Sequence, residues 1–66
     1  MTNLQIIREE RGFTRAGFAE AVGLANSAIR DYEQGHSDIN KAAAIKVYKM
    51  AQVLQCEMYD LLELDK

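Results

Sequence analysis

Three glycines, Gly12, Gly23 and Gly35, cut this chain into stretches of about a dozen residues, and a run of helical apolar spacing precedes each. There is no proline, and alanine, leucine, glutamate, glutamine, lysine and arginine are frequent between the glycines. Those residues favour helix, and glycine just beyond a last turn supplies a left-handed stop. The chain is therefore directed to short helices joined by sharp corners, with no strand candidate. We read residues 1–66 as one domain. A domain this small buries only about 60% of the surface its unfolded form exposes. One cysteine, Cys56, and one histidine, His36, rule out an intramolecular disulfide and leave a Cys/His zinc site short of ligands. Packing, alone or with a partner subunit, must hold the chain together.

Boundaries follow from caps and staples. Thr2-x-x-Gln5 fits a capping box, so a first helix starts after Thr2, turns Leu4 and Ile7 inward and stops at Gly12. Thr14 caps a second helix, where Phe13 and Phe18 have the spacing of a hydrophobic staple and Phe18, Ala19 and Val22 face inward. Gly23-Leu24-Ala25 separates it from a third helix of about 26–34, with Leu24 and Ile29 as a second staple and Ile29 and Tyr32 as its buried edge. Asn40 reads as the cap of a long fourth helix carrying Ala43, Val47, Met50, Ala51 and Leu54 inward. A short fifth helix, about 58–62, carries Met58, Leu61 and Leu62. The expectation is an all-α, five-helix domain with a helix-turn-helix over about 14–34, because two short helices joined by a three-residue glycine turn describe that motif.

Charge and chemistry exclude several function classes. The net charge is −2, which argues against indiscriminate attraction to nucleic acid, yet residues 1–56 carry +1 and residues 57–66 carry −3. A binding surface away from the tail is thus not hostile to a polyanion. The longest apolar run, Ala42-Ala43-Ala44-Ile45, is too short for a bilayer. Met1-Thr2-Asn3-Leu4-Gln5 lacks a signal peptide's basic start and apolar core. The expected location is cytoplasmic. His36-Ser37-Asp38 contains triad residue types, but neighbours on one short loop rarely converge, and so small a domain has little room for a cleft. No enzymatic activity, cofactor, metal or small-molecule ligand is expected. Cys56 reads as a small buried thiol, and Met50 and Met58 as core fillers.

Residues then sharpen the motif. Leu4-x-x-Ile7-Arg8-Glu9-Glu10-Arg11-Gly12-Phe13-Thr14, then Phe18-Ala19-x-x-Val22-Gly23-Leu24, then Ser27-x-Ile29-x-x-Tyr32-Glu33-Gln34-Gly35 resembles the lambda-repressor/Cro-type (XRE-like) helix-turn-helix family. Val47 to Leu54 followed by Met58-x-x-Leu61-Leu62 is similar to that family's fourth and fifth helices. The resemblance implies a sequence-specific transcriptional regulator, a repressor by first expectation, that reads operator DNA in the major groove through its third helix. It places Thr14 and Arg15 at the DNA backbone, Asn26, Ser27, Arg30 and Asp31 at base edges, and Gln34 and His36 again near phosphates. It makes Arg8 and Glu33 an internal salt bridge. Departures are Arg15 in a slot usually filled by glutamine, Ala25 where Ser or Thr caps the recognition helix, and Gly17 where Glu is usual. Asp31, Glu33 and Asp38 add negative charge near the proposed DNA face, and the loop before the fourth helix is longer than in the shortest members.

Two matters stay open at the level of sequence. Tyr59, Leu61, Leu62 and Leu64 either pack on the first and fourth helices or form a dimer contact. A homodimer is the expectation, since one recognition helix covers few base pairs and a two-fold pair reads half-sites about 34 Å apart. The alternative function is the same fold used as an antitoxin-like or regulatory protein-interaction module, favoured by the acidic balance, Ala25 and the apolar tail.

Overall fold

The computed structural model describes residues 1–64, so Asp65 and Lys66, part of the acidic tail, lie outside the described residues. Five α-helices follow one another: α1 (Asn3–Glu10), α2 (Arg15–Val22), α3 (Asn26–Gln34), α4 (Ala44–Leu54) and α5 (Met58–Leu61). A single turn of 3-10 helix, Ile39–Lys41, stands between α3 and α4, and no strand occurs among the described residues.

Thr2 and Thr14 cap α1 and α2 as expected, although the box at Thr2 is half made, since the Gln5 side chain bonds Glu9 instead. Thr2 Oγ1 accepts from the Gln5 amide and Thr14 Oγ1 from the Gly17 amide, each satisfying an otherwise orphan donor. The Phe13 and Phe18 rings meet at 5.9 Å and 59°, so the staple also contributes an aromatic contact. At the corner, Gly23 adopts φ +84°, a conformation that side chains disfavour, and its amide and that of Leu24 both return to the Ala19 carbonyl. The chain turns there within three residues, which sets α3 against α2. Gln55 makes the equivalent left-handed turn after α4 without being glycine, at φ +56°.

Every helix and the 3-10 turn contributes to one core. Leu4 comes from α1, Phe18, Ala19 and Val22 from α2, and Ile29 from α3. Ile39 comes from the 3-10 turn, Val47, Met50, Ala51 and Leu54 from α4, and Leu61 from α5. Tyr32, expected in the buried edge, and Ile7 and Met58 pack at its margin and are only partly buried.

The fourth helix departs from the sequence reading. Asn40 does not cap it; Asp38 instead accepts from the Asn40 amide to start the 3-10 turn, and α4 begins only at Ala44 with no side-chain cap. Ile39 explains the interruption. It is a lone apolar residue in a polar loop, and the extra turn carries it into the core. Asn40 is freed for another task. Its side chain donates to the Glu63 carbonyl and accepts from the Glu63 amide, at 2.8 and 2.9 Å. Glu63 in turn caps α1, with Oε2 accepting from the Asn3 amide at 2.6 Å, while the Asn3 side chain donates to the Leu62 carbonyl. These bonds fasten residues 62–63 to the start of α1 and to the loop after α3.

Leu61 also corrects the expectation for the tail. It is fully buried between α1 and α4 neighbours and is unavailable to a partner, whereas Tyr59 and Leu64 are exposed and Leu62 is half-buried. Leu61→Ala is expected to cost about 2–5 kcal/mol in urea unfolding, as emptied core sites do. Leu64→Ala is expected to stay within about 0.5 kcal/mol of wild type.

Candidate nucleic-acid interface

The outward face of α3 is a consequence of what its inward face must bury. Only Ile29 and Glu33, one turn apart, are fully buried in this helix. Asn26, Arg30 and Gln34 recur at four-residue spacing along one flank of that buried pair and are exposed, with Ser27 exposed and Asp31 half-exposed on the next row, farther from the core. No side chain covers that face among the described residues. Five of the residues expected at DNA thus share one open surface. Thr14 is exposed at the start of α2 but its hydroxyl is engaged in the cap, and His36 is exposed just beyond α3.

A buried carboxylate holds α3 in place. Glu33 is fully shielded from solvent and receives Arg8 in a forked pair, Nε to Oε2 at 2.5 Å and the far nitrogen to Oε1 at 3.2 Å. The remaining terminal nitrogen of Arg8 donates to the Phe13 carbonyl at 2.7 Å, so the arginine also fixes the corner entering α2. The expected Arg8–Glu33 bridge is present, with an addition that sequence reading missed. Arg15 Nε also reaches Glu33 Oε1, at 3.3 Å, with its side chain one-third exposed. Side chains of α1, α2 and α3 therefore converge on one carboxylate. All buried side-chain polar atoms among the described residues find partners.

Around the open face the charges are mixed. Arg30 and His36 both approach Asp31 Oδ1, at 3.6 and 3.8 Å, so the aspartate is partly offset, fully so when His36 is protonated. These groups are well exposed, and such pairs contribute little to stability. Lys41, Lys46 and Lys49 are exposed beyond α3, while Glu57 and Asp60 stand on or beside α5. Glu33, counted among the negative residues near the DNA face, presents no charge there, because two arginines neutralise it inside the protein.

Asn26 does not replace the missing cap of α3. Ala25 occupies the cap position with extended backbone and no side-chain bond. Arg11 was a further omission from the sequence reading: its Nε donates to the Leu54 carbonyl at 2.8 Å and closes the end of α4. Its place just before Gly12 was the only hint available. Cys56 is half-buried, and burial, then Asp60, push its thiol above the ordinary range, which disfavours a reactive thiolate. No cluster of side chains suited to a metal ion occurs among the described residues, and no helix is long and apolar enough to cross a membrane.

Two short helices, a glycine corner and an exposed second helix pinned from behind define a helix-turn-helix protein. A family model described as helix-turn-helix, of the Cro/C1 (XRE-like) type, matches residues 4–61, and the chain belongs to that family of DNA-binding regulators. No curated protein and no solved structure matches the chain.

The Ala25 backbone already has the geometry of a helix cap. Ala25→Ser is therefore expected to raise stability by about 1 kcal/mol, read by thermal or urea unfolding.

Proposed function

We propose that this protein is a sequence-specific DNA-binding transcriptional repressor that occupies operator DNA with α3 in the major groove. The observation that carries the reading is the open row Asn26, Arg30 and Gln34, on a helix anchored to the body through its own Glu33 and Ile29. Asn26 has the amide to pair with adenine, Arg30 the fork to pair with guanine, and Asp31 the acceptor for cytosine, with Ser27 able to bond either partner type. Arg15, Gln34, His36 and Thr14 at the start of α2 are assigned in this reading to backbone phosphate, which would set register. Residues 1–66 act in this reading as one cytoplasmic DNA-binding domain without catalytic activity.

A homodimer completes the account. Tyr59, Leu62 and Leu64 line a groove of about 330 Å³ together with Asn3 and Ile7 from α1. Tyr59 and Leu64 leave apolar surface exposed there. A second copy on this face would give two recognition helices and a two-fold operator.

The test is binding to duplexes selected from random DNA, measured between about 50 and 200 mM salt. Affinity is expected to fall with a log–log slope of about −0.9 for each phosphate neutralised, while a preferred sequence persists. Asn26→Ala is expected to cost about 1–3 kcal/mol and to relax preference at one base pair. Gln34→Ala is expected to weaken all sequences alike. Absence of any preferred duplex, with indifference to both substitutions, would turn the reading to a protein-interaction module. Tyr59→Lys is expected to shift sedimentation of the DNA-bound species from two protomers to one.

A further inference from the structure

We propose that Glu33 is a positioning residue for DNA binding, presenting Arg15 to a backbone phosphate as well as bracing α3. This rests on the DNA-binding reading above and specifies how one contact in it is built. Arg15 gives its Nε edge to Glu33 Oε1 at 3.3 Å and makes no other side-chain hydrogen bond among the described residues. The guanidinium is planar and carries donors on more than one edge. With Nε held inward, the two terminal nitrogens are left for an acceptor outside the protein. The side chain is one-third exposed, which places the group at the surface while one of its edges stays anchored.

Charge supports the same assignment. Glu33 carries one negative charge and faces two arginines, and Arg8 already satisfies it through a forked pair from a side chain only 8% exposed. Glu9, half exposed, also pairs with Arg8 at 3.7 Å, so of the two arginines it is Arg8 that is surrounded by acceptors. Arg8 is spent internally, with its third donor on the Phe13 carbonyl. Arg15, the first residue of α2, has Glu33 as its single ion-pair partner among the described residues and is the cation of this cluster at the surface. A freely rotating arginine loses side-chain entropy when it meets phosphate, whereas one already held loses less. Because Glu33 lies on α3, the phosphate contact from α2 and the base contacts from α3 are referred to the same carboxylate. That fixes their relative register.

The experiment is a double-mutant cycle on affinity for the preferred duplex, with Arg15→Gln, Glu33→Gln and the pair, all at a temperature where each variant is shown folded by circular dichroism. Arg15→Gln and Glu33→Gln are each expected to weaken binding by about five- to tenfold, and Glu33→Gln to cost clearly less in the Arg15→Gln background than in wild type, the remainder being its brace on α3. Independent, multiplying losses would overturn the proposal. Glu33→Gln leaves Arg8 facing an amide and puts folding at risk, so Arg15→Lys is the second arm, because it leaves the Arg8–Glu33 pair intact. Lysine retains the charge without the fork. It is expected to keep the wild-type salt slope yet lose about fivefold in affinity. Wild-type affinity in Arg15→Lys would overturn the proposal. If wild type binds no duplex at all, this inference falls together with the DNA-binding reading; if it binds and only the cycle or the lysine arm fails, the DNA-binding reading stands.

Discussion

A carboxylate removed from water must be matched by charge and hydrogen bonds, because an uncompensated buried ion costs several kcal/mol. Glu33 meets that requirement with Arg8 from α1 and Arg15 from α2. The match is only possible when the three helices stand in one mutual arrangement. Ile29, one turn earlier on α3, packs into the same core as Phe18 and Leu4. The apolar contacts supply most of the drive to bury α3, and the ion cluster selects the orientation in which it is buried. Rotating α3 about its axis would expose Ile29 and strand Glu33, so the flank bearing Asn26, Arg30 and Gln34, with Ser27 and Asp31 beyond it, is held in its exposed setting.

The same economy governs the corner. Arg8 bonds the Phe13 carbonyl, Phe13 packs on Phe18, and Thr14 caps α2 immediately afterwards. Entry to the motif is thus fixed by a side chain of the preceding helix and exit from it by Gly23. A regulator of this kind depends on placing a few side chains to within a fraction of an ångström of base edges. Short helices have little intrinsic stability in water, and here rigidity comes from contacts made outside the motif itself.

At the far end, Asn3, Asn40 and Glu63 tie three distant parts of the chain by hydrogen bonds. The loop that follows the recognition helix and the segment beside the α1/α5 groove are joined through Asn40 and Glu63. Leu61 is buried in the core, while Tyr59 and Leu64 are exposed beside the groove that Asn3 also lines. Four residues of similar apolar character near the tail therefore differ in burial: Tyr59 and Leu61 lie on a helix of four residues, and Leu62 and Leu64 on the segment that follows it.

Much of the architecture was legible in the sequence because it is local. Caps at Thr2 and Thr14, staples at Phe13/Phe18 and Leu24/Ile29, and stops at Gly12, Gly23 and Gly35 act within a turn or two of chain, so spacing alone located α1, α2 and α3, while the family resemblance supplied the candidate residues on α3. The motif string supplied the Arg8–Glu33 pair. What tertiary structure decided was everything requiring residues distant in sequence to meet. Asn40 became a clasp for Glu63 instead of a helix cap, and Ile39 broke the expected fourth helix because the core had a place for it. Leu61 was taken into the core, and Arg15 joined Glu33. Local propensity states what a segment can do next to itself; burial and charge pairing, which depend on the whole assembled chain, choose among the options it leaves.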